Sequence, residues 1–120
     1  PQITKYATQL SKEVMSAIHL IEKAGTAQGL KPIDFQAGLW ESGYWKVATE
    51  TAAKLVGGHI FLHASWSELS HFGGQISAFT THNAPGSKED GRVIFQFTFL
   101  PECKGVKAPN GAAGEKRIAW

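Results

Sequence analysis

The segment from Arg92 to Phe99 limits the fold more than any other part of the chain. Val93, Phe95, Phe97 and Phe99 leave one side of it, with Gln96 and Thr98 among the residues facing the other. A period of two is the spacing of a β-strand, and a face this apolar has to be buried. Pro101 cannot extend the hydrogen-bond ladder and ends the strand. The chain has 120 residues, the length of one compact domain. Two independent cores would need roughly 100 residues each. Hydrophobic residues make up 42% and charged residues 18%, so there is enough apolar surface for a core and the composition is not that of a disordered chain.

Around that strand the sequence predicts an α+β architecture. Ile3, Tyr6, Leu10, Val14, Ala17, Ile18 and Ile21 recur at spacings of three and four, which predicts one long amphipathic helix within residues 1–31, stopped by Gly25, Gly29 and Pro32. Ile33, Phe35, Ala37 and Leu39 alternate as a strand, and Ser42-Gly43 before Tyr44-Trp45-Lys46-Val47 predicts a hairpin or a bulge. Thr49 to Val56 reads as a short inserted helix with Thr49 as its cap, ended by Gly57-Gly58. Strands follow at His59–His63 and Gln75–Thr81, with a further short one at Arg117–Trp120. The expected fold is a small curved mixed sheet or barrel of about five strands. It divides into an N-terminal helix (1–31), a sheet core (32–103) and a basic Gly-rich tail (104–120).

Charge, cysteine and hydropathy exclude several classes. The net charge of +2 is spread unevenly, with Lys104, Lys107, Lys116 and Arg117 set against Glu115 in the last segment. A weakly acidic body with a basic tail can touch a polyanion but lacks the dense positive face of a tight duplex binder. No stretch approaches the ~20 apolar residues of a membrane span and no signal peptide opens the chain, so no membrane partner is expected. A single cysteine, Cys103, excludes an intrachain disulfide and a CxxC knuckle. It fits a reducing compartment, and the expected location is the cytoplasm.

The five histidines do not form a recognisable metal motif. His59 and His63 would chelate zinc if helical, but on a strand that spacing sets them roughly 13 Å apart. No metal and no cofactor is expected. No GxSxG elbow accompanies Ser65, Ser67 and Ser70, so no catalytic nucleophile is assigned.

The aromatic residues carry more information. Trp40, Tyr44, Trp45, Trp66 and Phe72 lie in two loops expected to cap the sheet, interleaved with Ser42, His63, Ser65, Ser67 and His71. Flat rings beside small hydroxyls and imidazoles are what a stacking pocket for a planar ligand requires. For Trp40 and Trp45 the competing reading is plain core packing. Trp66 sits in the polar run Ala-Ser-Trp-Ser-Glu, where burial is harder to account for.

The succession of a strand, Ser42-Gly43-Tyr44-Trp45-Lys46, a short helix, Leu55-Val56-Gly57-Gly58, His59–His63, a Ser/Trp loop and Gly73-Gly74-Gln75-Ile76 resembles the PUA-like superfamily. Within it the chain is most similar to EVE and ASCH type domains, over roughly residues 35 to 100. Gly57-Gly58 stands where a Gly-Asp is usual in that group. The resemblance implies a barrel-like sheet that binds DNA or RNA and holds a modified or flipped base in an aromatic cleft. Carried over, Trp40, Ser42, Tyr44 and Trp45 would line the cleft from the first loop and His63, Ser65 and Trp66 from the second. His71 joins them from the residue pattern, and Lys46, Lys116 and Arg117 would contact the nucleic-acid backbone. The expected function is therefore a nucleic-acid or nucleotide binding module without chemistry of its own. Two alternatives stand beside it: a small enzyme using His63 or His71 with Glu68 as an acid–base pair, and a peptide-binding interaction domain.

Overall fold

The structure is a computed structural model and describes residues 16–22, 30–111 and 114–120. Among the described residues seven strands form one sheet: β1 (Ala17–Ile21), β2 (Lys31–Asp34), β3 (Leu39–Trp45), β4 (His59–His63), β5 (Phe72–Thr81), β6 (Val93–Phe99) and β7 (Lys116–Ala119). Helix α1 (Thr49–Leu55) links β3 to β4, and a 3-10 turn, Pro101–Cys103, follows β6. The order across the sheet is β2-β3-β6-β5-β4-β1-β7. β1 and β4 run parallel, and every other neighbouring pair is antiparallel. Among the described residues, no helix is long and apolar enough to cross a membrane.

This overturns the expected α+β fold of about five strands with a long N-terminal helix. The sheet is open, mixed and seven-stranded, and the stretch assigned to the end of that helix is strand β1. Ala-Ile-His-Leu-Ile is a short apolar run, and such a run fits a buried strand as readily as a helix turn. Ile18 and Leu20 are fully buried on the core face, while His19, pointing the other way, is also buried. Covered on both faces, the strand shows no alternation of polarity to betray it. The rest of the expected helix, at residues 1–15 and 23–29, lies outside the described residues.

The expected strand from Ile33 to Leu39 is broken: Ile33 and Asp34 end β2, Leu39 begins β3, and residues 35–38 form the hairpin turn between them. Asp34 Oδ1 accepts the Ala37 N–H at 3.1 Å, the Gly38 N–H reaches the Phe35 carbonyl, and Gly38 takes φ of 74°. Only glycine enters that region without steric cost. The register of β3 against β6 shifts between Glu41 and Tyr44, so Ser42-Gly43 is a bulge. Helix α1 begins at Thr49 and Ala48 precedes it without a side-chain cap, so Thr49 is not the cap.

Val93, Phe95 and Phe97 are fully exposed to the core and to no solvent, together with Ile18, Leu20, Ile60, Leu62 and Ile76. Ala52 and Leu55 of α1 close over them. Gly74 lets β5 and β6 approach at their closest: a Cβ there would run into the Thr98 carbonyl oxygen. At the far edge of the sheet, β7 from the basic tail pairs with β1.

Candidate ligand site

The first-loop aromatics are placed apart from one another. Trp40 meets Phe72 edge-on at 4.9 Å between ring centroids and Phe35 at 6.1 Å, at the rim of the core. Tyr44 stacks face to face on His82 at 4.3 Å. Trp45 is 8% exposed and belongs to the core. Ser42 is buried beneath it and holds the bulge together. Its hydroxyl donates to the Gly43 carbonyl at 2.7 Å and accepts the Trp45 indole N–H at 3.2 Å and the Phe95 N–H at 3.0 Å. Ser42 and Trp45 are thus occupied with packing, and the three rings on β3 do not share one cleft.

The second loop is built where the parallel strands β1 and β4 end side by side, at Ile21 and His63. His63 is fully buried. Its Nδ1–H donates to the Glu68 carbonyl at 2.9 Å, which can only accept, so Nε2 of the neutral ring accepts from His19 Nδ1–H, also at 2.9 Å. His19 lies between His63 and Phe61, with ring centroids at 5.1 and 4.7 Å. Burial, and then the neighbouring His63, lower the His19 pKa from 6.5 to about 4. One strand turn on, Glu22 stands 3.3 Å from His71, oxygen Oε1 to Nε2, with the carboxylate buried and the imidazole side chain exposed on one side. Glu22 N–H donates to the His63 carbonyl and His71 N–H to the Leu62 carbonyl, so the pair is tied to the end of β4.

Glu68, expected as the acid–base partner of His63 or His71, offers His63 only its backbone carbonyl. The carboxylate beside His71 is Glu22. Within the expected helix, Glu22 and His19 have no place in a site. As a strand ending beside His63, the same residues face the second loop.

Trp66 crosses this cluster on its outer side. Its ring tilts over His63 at 5.6 Å, and its indole N–H donates to the Gly114 carbonyl at 2.8 Å. Ser65 and Ser67 share a hydroxyl–hydroxyl hydrogen bond of 3.0 Å on the exposed side of the loop. A cavity of about 320 Å³ opens against Trp66, walled by Leu69 and Pro109 and edged by Ser67, Glu68, Lys107 and Asn110. Leu69 is 56% exposed, an uncovered apolar wall.

The far wall of that cavity is held by Ser70. This buried hydroxyl donates to the Cys103 carbonyl at 2.6 Å and accepts the Val106 N–H at 2.9 Å. Two backbone bonds, Ser70 to Val106 and Gly105 to Ser70, complete the clamp. Four hydrogen bonds through one residue fix the segment leading to Lys107–Asn110 against the loop that carries Trp66. Cys103 is buried in this junction, and burial, with Glu102 adding to it, pushes its thiol pKa up to about 11. At neutral pH it is protonated and unreactive.

The expected backbone contacts divide. Lys46 and Lys116 line a second cleft of about 650 Å³, while Arg117 is exposed on β7 and is not among the residues lining it. His59 and His63 lie on one strand as expected. Among the described residues no three His, Cys, Asp or Glu side chains are placed to hold a metal ion. No protein-family model, curated protein or solved structure matches the chain. Nothing in those comparisons identifies it with the PUA-like superfamily or with EVE and ASCH domains.

Proposed function

We propose that the chain is a binding module that holds an unpaired or modified nucleobase of a DNA or RNA strand against Trp66. The observation that carries this reading is the state of the Trp66 ring. One side of it rests on the buried His63, its N–H is fixed on Gly114, and it lines the cavity shared with Leu69 and Pro109. A ring immobilised in this way loses little freedom when a base stacks on it. Ser67, Glu68 and Asn110 at the cavity's edge supply a donor and acceptor set for the rim of a base, and Lys107 supplies one cation.

Of the residues the sequence suggested for the cleft, Trp66 alone lines this cavity. His63 lies against Trp66 and is not among the residues lining the cavity. Ser42 and Trp45 hold β3 to β6, and Trp40 and Tyr44 belong to other parts of the surface. His71 and Ser65 flank the loop.

The test is a titration with free nucleosides, unmodified and base-modified, followed at the Trp66 indole N–H by ¹⁵N-resolved NMR. Trp66→Phe assigns the resonance among the four tryptophans of the chain. The reading requires a saturable shift of that signal with at least one nucleoside. A panel that moves none of the resonances of residues 66–69 and 107–111 refutes it.

A further inference from the structure

The second cleft lies at the junction of three segments distant in sequence: the exit from β3, the turn between β5 and β6, and the start of β7. Lys46, Lys88, Arg92 and Lys116 line it, with Asp90 as the one carboxylate among the lining residues. Neither ion pair found among the described residues involves any of these four cations. Four cations gathered with one carboxylate in the lining leave an excess of positive charge, and a fold keeps like charges together at some cost to its own stability.

Asp90, and Glu89 before it in the chain, also hold the turn together. Asp90 Oδ1 accepts the Ala84 N–H at 2.8 Å. Glu89 accepts the Ser87 hydroxyl, a bond that lowers its pKa. Both carboxylates therefore brace the turn that carries Lys88 and Arg92. That turn is further closed by Ser87 N–H to the Ala84 carbonyl and Arg92 N–H to Glu89. His82 N–H to Arg92 and Gly91 N–H to His82 seal its base. Tyr44 stacked on His82 fixes it against β3, beside Lys46. The cations are thus presented from braced backbone around a cleft far roomier than one phosphate group requires.

We propose that the cleft formed by Lys46, Lys88, Arg92 and Lys116 is a phosphate-group site. It deepens the nucleobase reading by supplying a place for the phosphates of the same ligand, and it rests on that reading only for the identity of the strand. Lys88 and Arg92 carry no such assignment from the sequence, where they lie in a polar link and at a strand start. Lys116 begins β7 and stands two residues beyond Gly114, whose carbonyl anchors Trp66. One short segment therefore serves both sites. Arg supplies a planar fork that grips phosphate oxygens in pairs, and the three lysines add point charge.

Inorganic pyrophosphate, which has no base, probes this cleft by itself. In low salt it is expected to shift the amide resonances of residues 46–48 and 88–92 saturably. A Lys88→Gln/Arg92→Gln double variant should weaken that binding at least tenfold, while Lys54→Gln on the exposed side of α1 should leave it unchanged. Oligothymidylate separates the two sources of phosphate. Displacement of pyrophosphate assigns the cleft to a strand's backbone, and binding without displacement assigns it to free phosphate esters. With oligothymidylate, removing two contacts should also reduce the log–log salt slope by roughly 1.4, at about 0.7 per contact for a single strand. Shifts spread evenly over Lys54, Lys104 and Lys107, or pyrophosphate binding that the double variant retains, would overturn the proposal. If pyrophosphate binds as described while no nucleoside moves Trp66, the base pocket fails and the phosphate site stands.

Discussion

Acid should destabilise this fold through His19 before the surface carboxylates titrate, and replacing His19 by phenylalanine should remove much of that effect. In the unfolded chain His19 takes up a proton near its ordinary pKa of 6.5, whereas in the fold it does so only near 4. Between those values the unfolded state binds more protons, so stability falls as pH falls across this window and is unaffected by His19 above it. At about 1.4 kcal/mol per unit the shift sets a ceiling of about 3 kcal/mol. His59, also lowered by burial with Glu102 opposing, adds to the loss with the same sign. His19→Phe begins from a lower stability at pH 7, because His63 Nε2 loses its donor, at a cost of about 1–3 kcal/mol. Its further loss on acidification should be the smaller of the two. Urea unfolding midpoints measured in steps from neutral pH to just above 4, for both proteins, give the comparison directly. A wild-type curve that stays flat through the window, or a variant with the same slope, refutes the buried-pair assignment.

Other substitutions test the packing and the loop clamp. Phe97→Ala empties a fully buried position under Trp40 and Phe72 and should cost about 3–5 kcal/mol, while Gln96→Ala on the opposite face should cost far less in the same denaturant titration. Gly74→Ala drives a methyl into the Thr98 carbonyl and should cost at least about 1–3 kcal/mol, read as a drop in melting temperature. Ser70→Ala removes the hydroxyl between Cys103 and Val106 and should cost about 1–3 kcal/mol. It should also speed amide exchange at Gly105 and Val106 ahead of the sheet, an order that a purely global loss would not produce.

The parts of the fold legible in the sequence are those with one wet face. Val93–Phe99 shows its alternation because Gln96 and Thr98 remain at least partly exposed. β4 and α1 are bounded by Gly57-Gly58, so their limits can be read from punctuation. β1 has no such contrast. Its outward His19 is covered as fully as a core residue, and three- and four-residue spacings across Val14, Ala17, Ile18 and Ile21 then imitate a helix. The misreading carries into the site, because His19 and Glu22 reach His63 and His71 only through the parallel pairing of β1 with β4. Trp66 stands out in the sequence as a large ring in a polar run. Its cavity partners Lys107–Gly111 do not, since they are brought there by the bonds of Ser70. The basic cleft is equally hidden: charge totals average Lys88 and Arg92 against Glu89 and Asp90, and only the fold brings Lys46 and Lys116 beside them.

In the proposed module a base stacked on Trp66, rather than charge attraction, supplies selectivity. Two oligonucleotides of equal length and charge separate these contributions, one with its bases and one with abasic residues at the same positions. One stack is worth roughly 1–3 kcal/mol, so the wild-type protein should bind the base-bearing strand about 5- to 150-fold more tightly, and Trp66→Ala should bind both equally. Equal affinity of the wild-type protein for the two strands would contradict the claim.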